Sequence, residues 1–198
     1  CPRNISTALM YSFAQREDVS VFDEPLYAHY LKISGKKHPA REEILQSQNS
    51  NGNKVVNDII LNNNNNNNNI LFHKLMTHFL VDINTSFLSE VINIIFIRNP
   101  KEIIESYSKV ISNPKMNDIG IKHQYNLYLL LKKRNIEPLV LDSKYLLMNP
   151  KVILKKLCDI LRIEFDQAML GWKKGGRKED GIWSRYWYTN VHSSTGFM

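Results

Sequence analysis

The 198-residue chain is 43% hydrophobic and carries 26 Lys and Arg against 19 Asp and Glu, a formal net charge of +7. That length suits one domain with a full core and excludes two of ordinary size, while the basic balance suits an anionic partner such as a nucleotide, a nucleic acid or a membrane surface. The two cysteines, Cys1 and Cys158, come without a Cys-x-x-Cys pair or clustered histidines, which excludes a disulfide framework and a metal site and points to a reducing compartment. No apolar stretch approaches the length of a membrane span, and no signal-like segment or initiating methionine is present. The expected location is therefore the cytoplasm, with an address ahead of Cys1 left open.

The chain opens on CPRNISTALMYSF, Cys1 to Phe13, a polar cluster running into helical spacing of Ala8, Leu9, Met10 and Phe13, with Ser6 or Thr7 placed to cap the first turn. A helix N-terminus backed by Arg3 suits a phosphate, although an ordinary capped helix explains the same residues. VSVFDEP then reads as a short buried strand ending near Phe22, with Asp23 and Glu24 at its exit. LYAHYLKI reads as a helix, and Lys36 to Glu43 as a charged loop leading to another.

Composition collapses from Gln46 onward, reaching an unbroken asparagine run from Asn62 to Asn69, so residues 47–69 are expected to be a disordered surface insertion in a single domain spanning 1–198. Ile70 to Met76 reads as a strand, followed by a polar turn at Thr77 and His78. Val91 to Ile97 is a nearly continuous apolar run, as expected of a parallel strand covered on both faces, and it ends at Arg98. Asn99 and Pro100 open a helix whose stripe is Ile103, Ile104, Tyr107 and Ile111. Gly120 to Arg134 is a further amphipathic helix, Pro138 to Asp142 a buried strand, and Asn149 with Pro150 start the helix that places Cys158 in the core. GWKKGGRKEDGIWSRYWY, Gly171 to Tyr188, is a glycine-containing basic and aromatic segment suited to closing over a nucleotide or stacking on single-stranded nucleic acid.

This alternation predicts an α/β, three-layer domain with a central parallel sheet, whose ligands bind beyond the C-terminal strand ends. Arg3, Glu24, His78 and Arg98 all fall at such ends and are expected on one rim. Arg98, at the end of a buried strand, must reach water, pair with an acid or grip an anion, and Ser106 lies eight residues on.

In this order the segments resemble the sulfotransferase family, whose members move a sulfuryl group from 3′-phosphoadenosine 5′-phosphosulfate to a hydroxyl or amine. PRNIST resembles the family's 5′-phosphosulfate loop, IFIRNPKEIIESY its 3′-phosphate motif, KLMTHFL its Lys-Thr-His-Leu segment, LDSKYLLMNPKVILKKLCDILRI its late strand and helix, and GRKEDGIW its closing loop. The resemblance implies the P-loop-type fold, the nucleotide sulfate donor as co-substrate, no metal, and a small-molecule or glycan acceptor. It also implies that Arg3, Asn4, Ser6 and Thr7 bind the 5′-phosphosulfate, that Arg98 and Ser106 bind the 3′-phosphate, and that Arg177, Lys178 and Gly181 fold over that phosphate. Arg3 would stabilise the departing phosphate, and Glu24 or His78 would be the base, Glu24 being preferred. Tyr27, His29, Tyr30 and the segment Tyr186 to Tyr188 are candidate acceptor contacts.

The sequence departs from the family at Ile5, where glycine is usual, at Ala8, where an aromatic often stacks on adenine, and in having no strand ahead of the loop. Two other readings remain: a nucleotide kinase or NTPase relative, disfavoured by the missing P-loop lysine, and a non-catalytic nucleotide- or RNA-binding domain, with nucleic acid the less expected partner.

Overall fold

The computed structural model describes residues 2–62 and 70–197. The reading of Cys1, and that of the asparagine run beyond Asn62, lie outside the described residues.

Helix α1 (Ser6–Phe13) turns its buried side, Leu9 to Phe13, toward the core and leads to strand β1 (Val19–Asp23). Ser6 and Thr7 do not cap it; the N-cap position falls to Ile5, in the left-handed region at φ 62°, with no side-chain cap. Helix α2 (Tyr27–Ser34) buries its first five residues, and Gly35 ends it at φ 65°, where a side chain would strain the backbone. Helix α3 (Arg41–Ser47) follows.

The insertion expected to be disordered is partly ordered. Gly52–Val55 forms helix α4, and Val56–Leu61 continues it as a π-helical turn. Composition misled here because Val55, Val56 and Ile60 project inward among the asparagines and pack into the core, which offsets the entropy of ordering the turn.

Strand β2 (Ile70–Lys74) stops two residues earlier than its sequence suggests, and Thr77–Phe79 is a 3₁₀ turn that buries His78 and Phe79. A second 3₁₀ turn, Ser86–Ser89, leads to strand β3 (Ile94–Ile97), shorter than the apolar run by three residues. Helix α5 (Pro100–Tyr107) buries Ile103 and Tyr107, whereas Ile104 is exposed and Ile111 lies beyond the helix end. Its Asn99 side chain caps the Lys101 N–H.

The remaining elements are α6 (Met116–Ile119), α7 (Ile121–Lys133), strand β4 (Leu139–Asp142), α8 (Ser143–Met148), α9 (Pro150–Leu161), a 3₁₀ turn at Gln167–Leu170, α10 (Ser184–Trp187) and α11 (Thr189–Ser193). Asn149 precedes Pro150 at the start of α9 without a side-chain cap, and Cys158 is fully buried as expected.

Among the described residues the strands form two parallel pairs rather than one sheet. β1 pairs with β2 from Val19↔Ile70 to Asp23↔Lys74, and β3 pairs with β4 from Ile94↔Leu139 to Ile97↔Asp142. β4 is not a buried strand, since Val140 is exposed. Two main apolar clusters flank these pairs. One gathers α2, α4, the π turn and the 3₁₀ turns around Ile95; the other gathers α1, α8 and α9 around Val19, Val21 and Phe96. The alternation of Ile95 and Phe96 between clusters is the two-residue period of a strand covered on both faces. Among the described residues no helix is long and apolar enough to cross a membrane.

Candidate active site

The loop Pro2–Ile5, the exits of β1, β2 and β3, and the C-terminal helical turns enclose one cavity of about 290 Å³. Arg3, Thr7, Glu24, His78, Arg98 and Ser106 all line it, so the rim expected from the strand ends is present. Asn4 and Ser6 do not: the buried Asn4 donates to the Phe96 carbonyl at 2.7 Å and accepts from the Ser6 N–H at 3.2 Å, which ties the loop to β3. Arg177 and Lys178 are also absent from the lining; Arg177 pairs with Glu179 at 3.2 Å, while Lys178 projects into solvent. The Gly181 N–H donates to Asp23 at 3.3 Å, and a Cβ at Gly181 would fall 2.1 Å from the Trp183 ring.

Arg3 is the centre of the site's cationic half. Its Nε donates to the Ser106 hydroxyl at 2.8 Å and its Nη1 to the Trp187 carbonyl at 2.6 Å, and among the described residues no carboxylate pairs with it. Burial lowers its pKa and the neighbouring Arg98 lowers it further. Arg98 donates to the Arg3 carbonyl at 2.9 Å and to Glu102 at 2.7 Å, so the acid pairing considered from sequence exists, but on an outward branch of α5. Two guanidiniums held together with one acid between them leave positive charge for an anion to neutralise.

Arg3, Ile5 and Glu24 all have φ between 45° and 62°, a conformation that non-glycine residues adopt at a cost. The cost is highest at Ile5, which is β-branched. Ile5→Gly is therefore expected to be more stable than Ile5→Ala by about 1 kcal/mol in urea denaturation, and the reverse order would contradict this account of the loop.

The second half of the site is a buried ionic network. Lys74 Nζ donates at 2.8 Å to both Asp23 and Glu24 and at 2.6 Å to the Tyr188 hydroxyl. The Tyr188 hydroxyl in turn donates to Asp23 at 2.8 Å, and the Trp183 indole N–H donates to Asp23 at 3.1 Å. Burial by itself would lower the Lys74 pKa, but Asp23 and then Glu24 hold it well above its ordinary value, so it is an ammonium. Burial raises the Glu24 carboxyl against the pull of Lys74, and Asp23 raises it further. The other Glu24 oxygen accepts the Met76 N–H at 3.0 Å. The sequence hinted at this network only through two acids at one strand exit and one lysine in an apolar strand. The register Asp23↔Lys74 is what joins them.

His78 lies against Tyr30 and Phe79, with its Nδ1 buried and, among the described residues, unpartnered. Gly120 makes room for it: a Cβ there would come within 2.9 Å of that nitrogen. Burial pushes the His78 pKa down to about 3, and those of His38 and His73 to about 4. Each of these folded values lies below the unfolded one, so their contribution to stability is complete above about pH 6.5 and is lost as pH falls toward 4 and below. Urea midpoints are expected to drop between pH 7 and pH 4.5; an unchanged midpoint would contradict the buried, neutral state of these rings.

Of the candidate acceptor contacts, Tyr27, Trp187 and Tyr188 line the cavity. His29 instead bonds the Val81 carbonyl at 2.6 Å and receives the Gly52 N–H at 3.1 Å, and Tyr186 points outward. Among the described residues no group of side chains could hold a metal ion.

The strand-helix alternation, with Arg3, Arg98, Glu24 and His78 lining one cavity at the strand ends, defines an α/β protein with a charged rim. A solved structure, the sulfotransferase domain from the curacin biosynthetic pathway, shares this fold, with a TM-score of 0.57, 14% sequence identity, and coverage of 98% of this chain and 84% of that one. The family model for the sulfotransferase domain matches residues 1–198, and the chain belongs to that family. It is also similar to two Arabidopsis thaliana proteins, branched-chain-amino-acid aminotransferase-like proteins 1 and 2, at 40% and 38% identity over 196 residues. Those matches cover 99% of this chain but 35% of each relative, so the chain spans about a third of their length.

Proposed function

We propose that this chain is the catalytic domain of a sulfotransferase of the three-layer, P-loop type that takes its sulfuryl group from 3′-phosphoadenosine 5′-phosphosulfate. The single observation that carries the reading is the pair of arginines, Arg3 and Arg98, converging with Ser106 on one cavity, with Arg3 partly buried and, among the described residues, without an acid. That donor set fits the bound form of a nucleotide with two separated anionic groups. Arg98 and Ser106 would hold its 3′-phosphate; Arg3 and the Thr7 side chain would hold the 5′ end. The donor supplies an activated sulfuryl group and a phosphate leaving group.

The protein's own share is alignment and charge stabilisation. Arg3 stabilises negative charge on the leaving side, and it does so as a fixed cation, because a guanidinium does not give up its proton. Glu24 accepts the proton of the acceptor hydroxyl or amine. It is favoured over His78 because an effective base has a pKa near the working pH, and burial moves Glu24 toward that range while moving His78 to about 3. Lys74 and the Met76 N–H keep the carboxylate oriented. The aromatic wall of Tyr27, Trp187 and Tyr188 suits the body of a small acceptor.

Titration calorimetry with adenosine 3′,5′-bisphosphate, ATP and a single-stranded RNA tests the reading. The bisphosphate is expected to bind most tightly, and Arg98→Ala to weaken it at least tenfold. Tighter ATP binding would favour a kinase or NTPase, and steeply salt-dependent RNA binding without bisphosphate binding would favour an RNA-binding domain.

A further inference from the structure

The aromatic side of the cavity holds a chain of polar groups that the proton transfer does not use. The Tyr27 hydroxyl meets His38 Nδ1 at 2.8 Å, while the Tyr27 N–H donates to the Glu24 carbonyl at 3.0 Å. Tyr27 therefore spans from Glu24 to His38. Its ring is held by Phe79, stacked at 4.8 Å, and by Trp183, edge-on at 5.2 Å.

Which nitrogen of His38 carries the proton follows from the groups around it. Burial keeps Tyr27 a neutral phenol by raising its pKa, and it pushes the His38 pKa down to about 4, with Lys36 lowering it further and Asp118 opposing. Lys36 and Asp118 are themselves paired at 2.8 Å. The Trp187 indole N–H is buried and, among the described residues, makes no hydrogen bond of good geometry, but it lies close enough to the Tyr27 oxygen to work against the rise in that pKa. An indole only donates, so the Tyr27 oxygen faces it with a lone pair and turns its own proton to His38 Nδ1. The proton of the neutral imidazole then sits on Nε2. That N–H has no partner among the described residues, and His38 lines the cavity.

We propose that His38 sets acceptor specificity: its Nε2–H donates to a neutral oxygen, an ether or a carbonyl, that the acceptor carries about one tyrosine length from the hydroxyl facing Glu24. The inference rests on the sulfotransferase reading and narrows its acceptor. Charge decides against a carboxylate at this place. Arg3 and Arg98 are committed to the donor's anionic groups and Lys74 to Asp23 and Glu24, so a carboxylate beside a neutral imidazole would be a desolvated charge without a partner. Tyr27, Phe79 and Trp187 line the space between, so the body joining the two oxygens is flat and apolar. A site that donates such a bond rejects the analogue that lacks the oxygen.

Long-range proton–nitrogen correlation spectra of the unmodified protein test the donor without nucleotide or acceptor. His38 is expected to hold the Nε2–H tautomer from pH 8 to 6, and to become a mixture of tautomers in Tyr27→Phe. An Nδ1–H tautomer, or a mixture already present in the unmodified protein, overturns the proposal. Titration calorimetry on the complex with adenosine 3′,5′-bisphosphate then compares 4-methoxyphenol with 4-ethylphenol, which match in shape and differ by one oxygen. The ether is expected to bind about fivefold more tightly, the scale of one hydrogen bond. His38→Phe is expected to abolish that preference, and His38→Gln, which keeps an N–H donor, to retain it. Equal affinities in the unmodified protein, binding of neither phenol, or a preference that survives in His38→Phe overturns the proposal while the sulfotransferase reading stands. Failure of the bisphosphate itself to bind is a different result, which removes that reading and this acceptor with it.

Discussion

Replacing Lys74 by methionine is expected to destabilise the protein by about 3–5 kcal/mol, the usual cost of leaving buried charge unpaired. The ammonium lies between Asp23 and Glu24, both of which are buried, and it is the cation that bonds to each. Tyr188 and Trp183 still donate to Asp23, but they are neutral and cannot cancel two negative charges. One carboxyl must then take up a proton, so the deficit should shrink as pH is lowered from 8 to 5. Urea denaturation across that range measures both effects. A loss below about 1 kcal/mol, or one independent of pH, would show that the three groups do not act as a unit. Methionine keeps much of the apolar volume of lysine, so the effect reads charge rather than packing.

The second large effect is on turnover. Glu24→Gln is expected to lower it by a factor of about 10²–10⁴, the range for a positioned general base, while leaving affinity for the bisphosphate nucleotide unchanged. With its oxygen on the Met76 N–H the amide turns its NH2 toward the Lys74 ammonium, so the urea midpoint of Glu24→Gln is measured beside its turnover and its nucleotide affinity. His78→Asn is expected to cost less than about tenfold, because a ring with a pKa near 3 is a weak base. The reverse ranking would transfer the proton-accepting role to His78.

How much of this was legible in the sequence depended on the range of the interaction. Strand ends are local: Arg3, Glu24, His78 and Arg98 each stand where an apolar run or loop stops, and they meet on one cavity. The links from Lys74 to Asp23 and from Tyr188 to Asp23 span 51 and 165 residues, and only the strand register and the returning C-terminal turns create them. Asn4 and Ser6 lie off the cavity for a related reason. A motif fixes spacing along the loop, whereas the left-handed backbone at Arg3 and Ile5 decides which side chains turn toward the rim and which toward β3. Gly52 to Leu61 was hidden by composition, since a few well-placed apolar residues outweigh their polar neighbours once they reach a core. Ile104 errs the other way: Ile103 and Tyr107 lie four apart on one face and are buried, while Ile104, a third of a turn further round, is exposed.

The most direct measurement is the thermal shift of the unmodified protein with adenosine 3′,5′-bisphosphate. At a hundred times its dissociation constant a ligand specific for the native state adds about 2.7 kcal/mol, which for a domain of this size raises Tm by several degrees. The account predicts that shift for the bisphosphate, a smaller one for ATP, and its loss in Arg3→Ala. No shift at saturating bisphosphate, or an equal shift in Arg3→Ala, would contradict it.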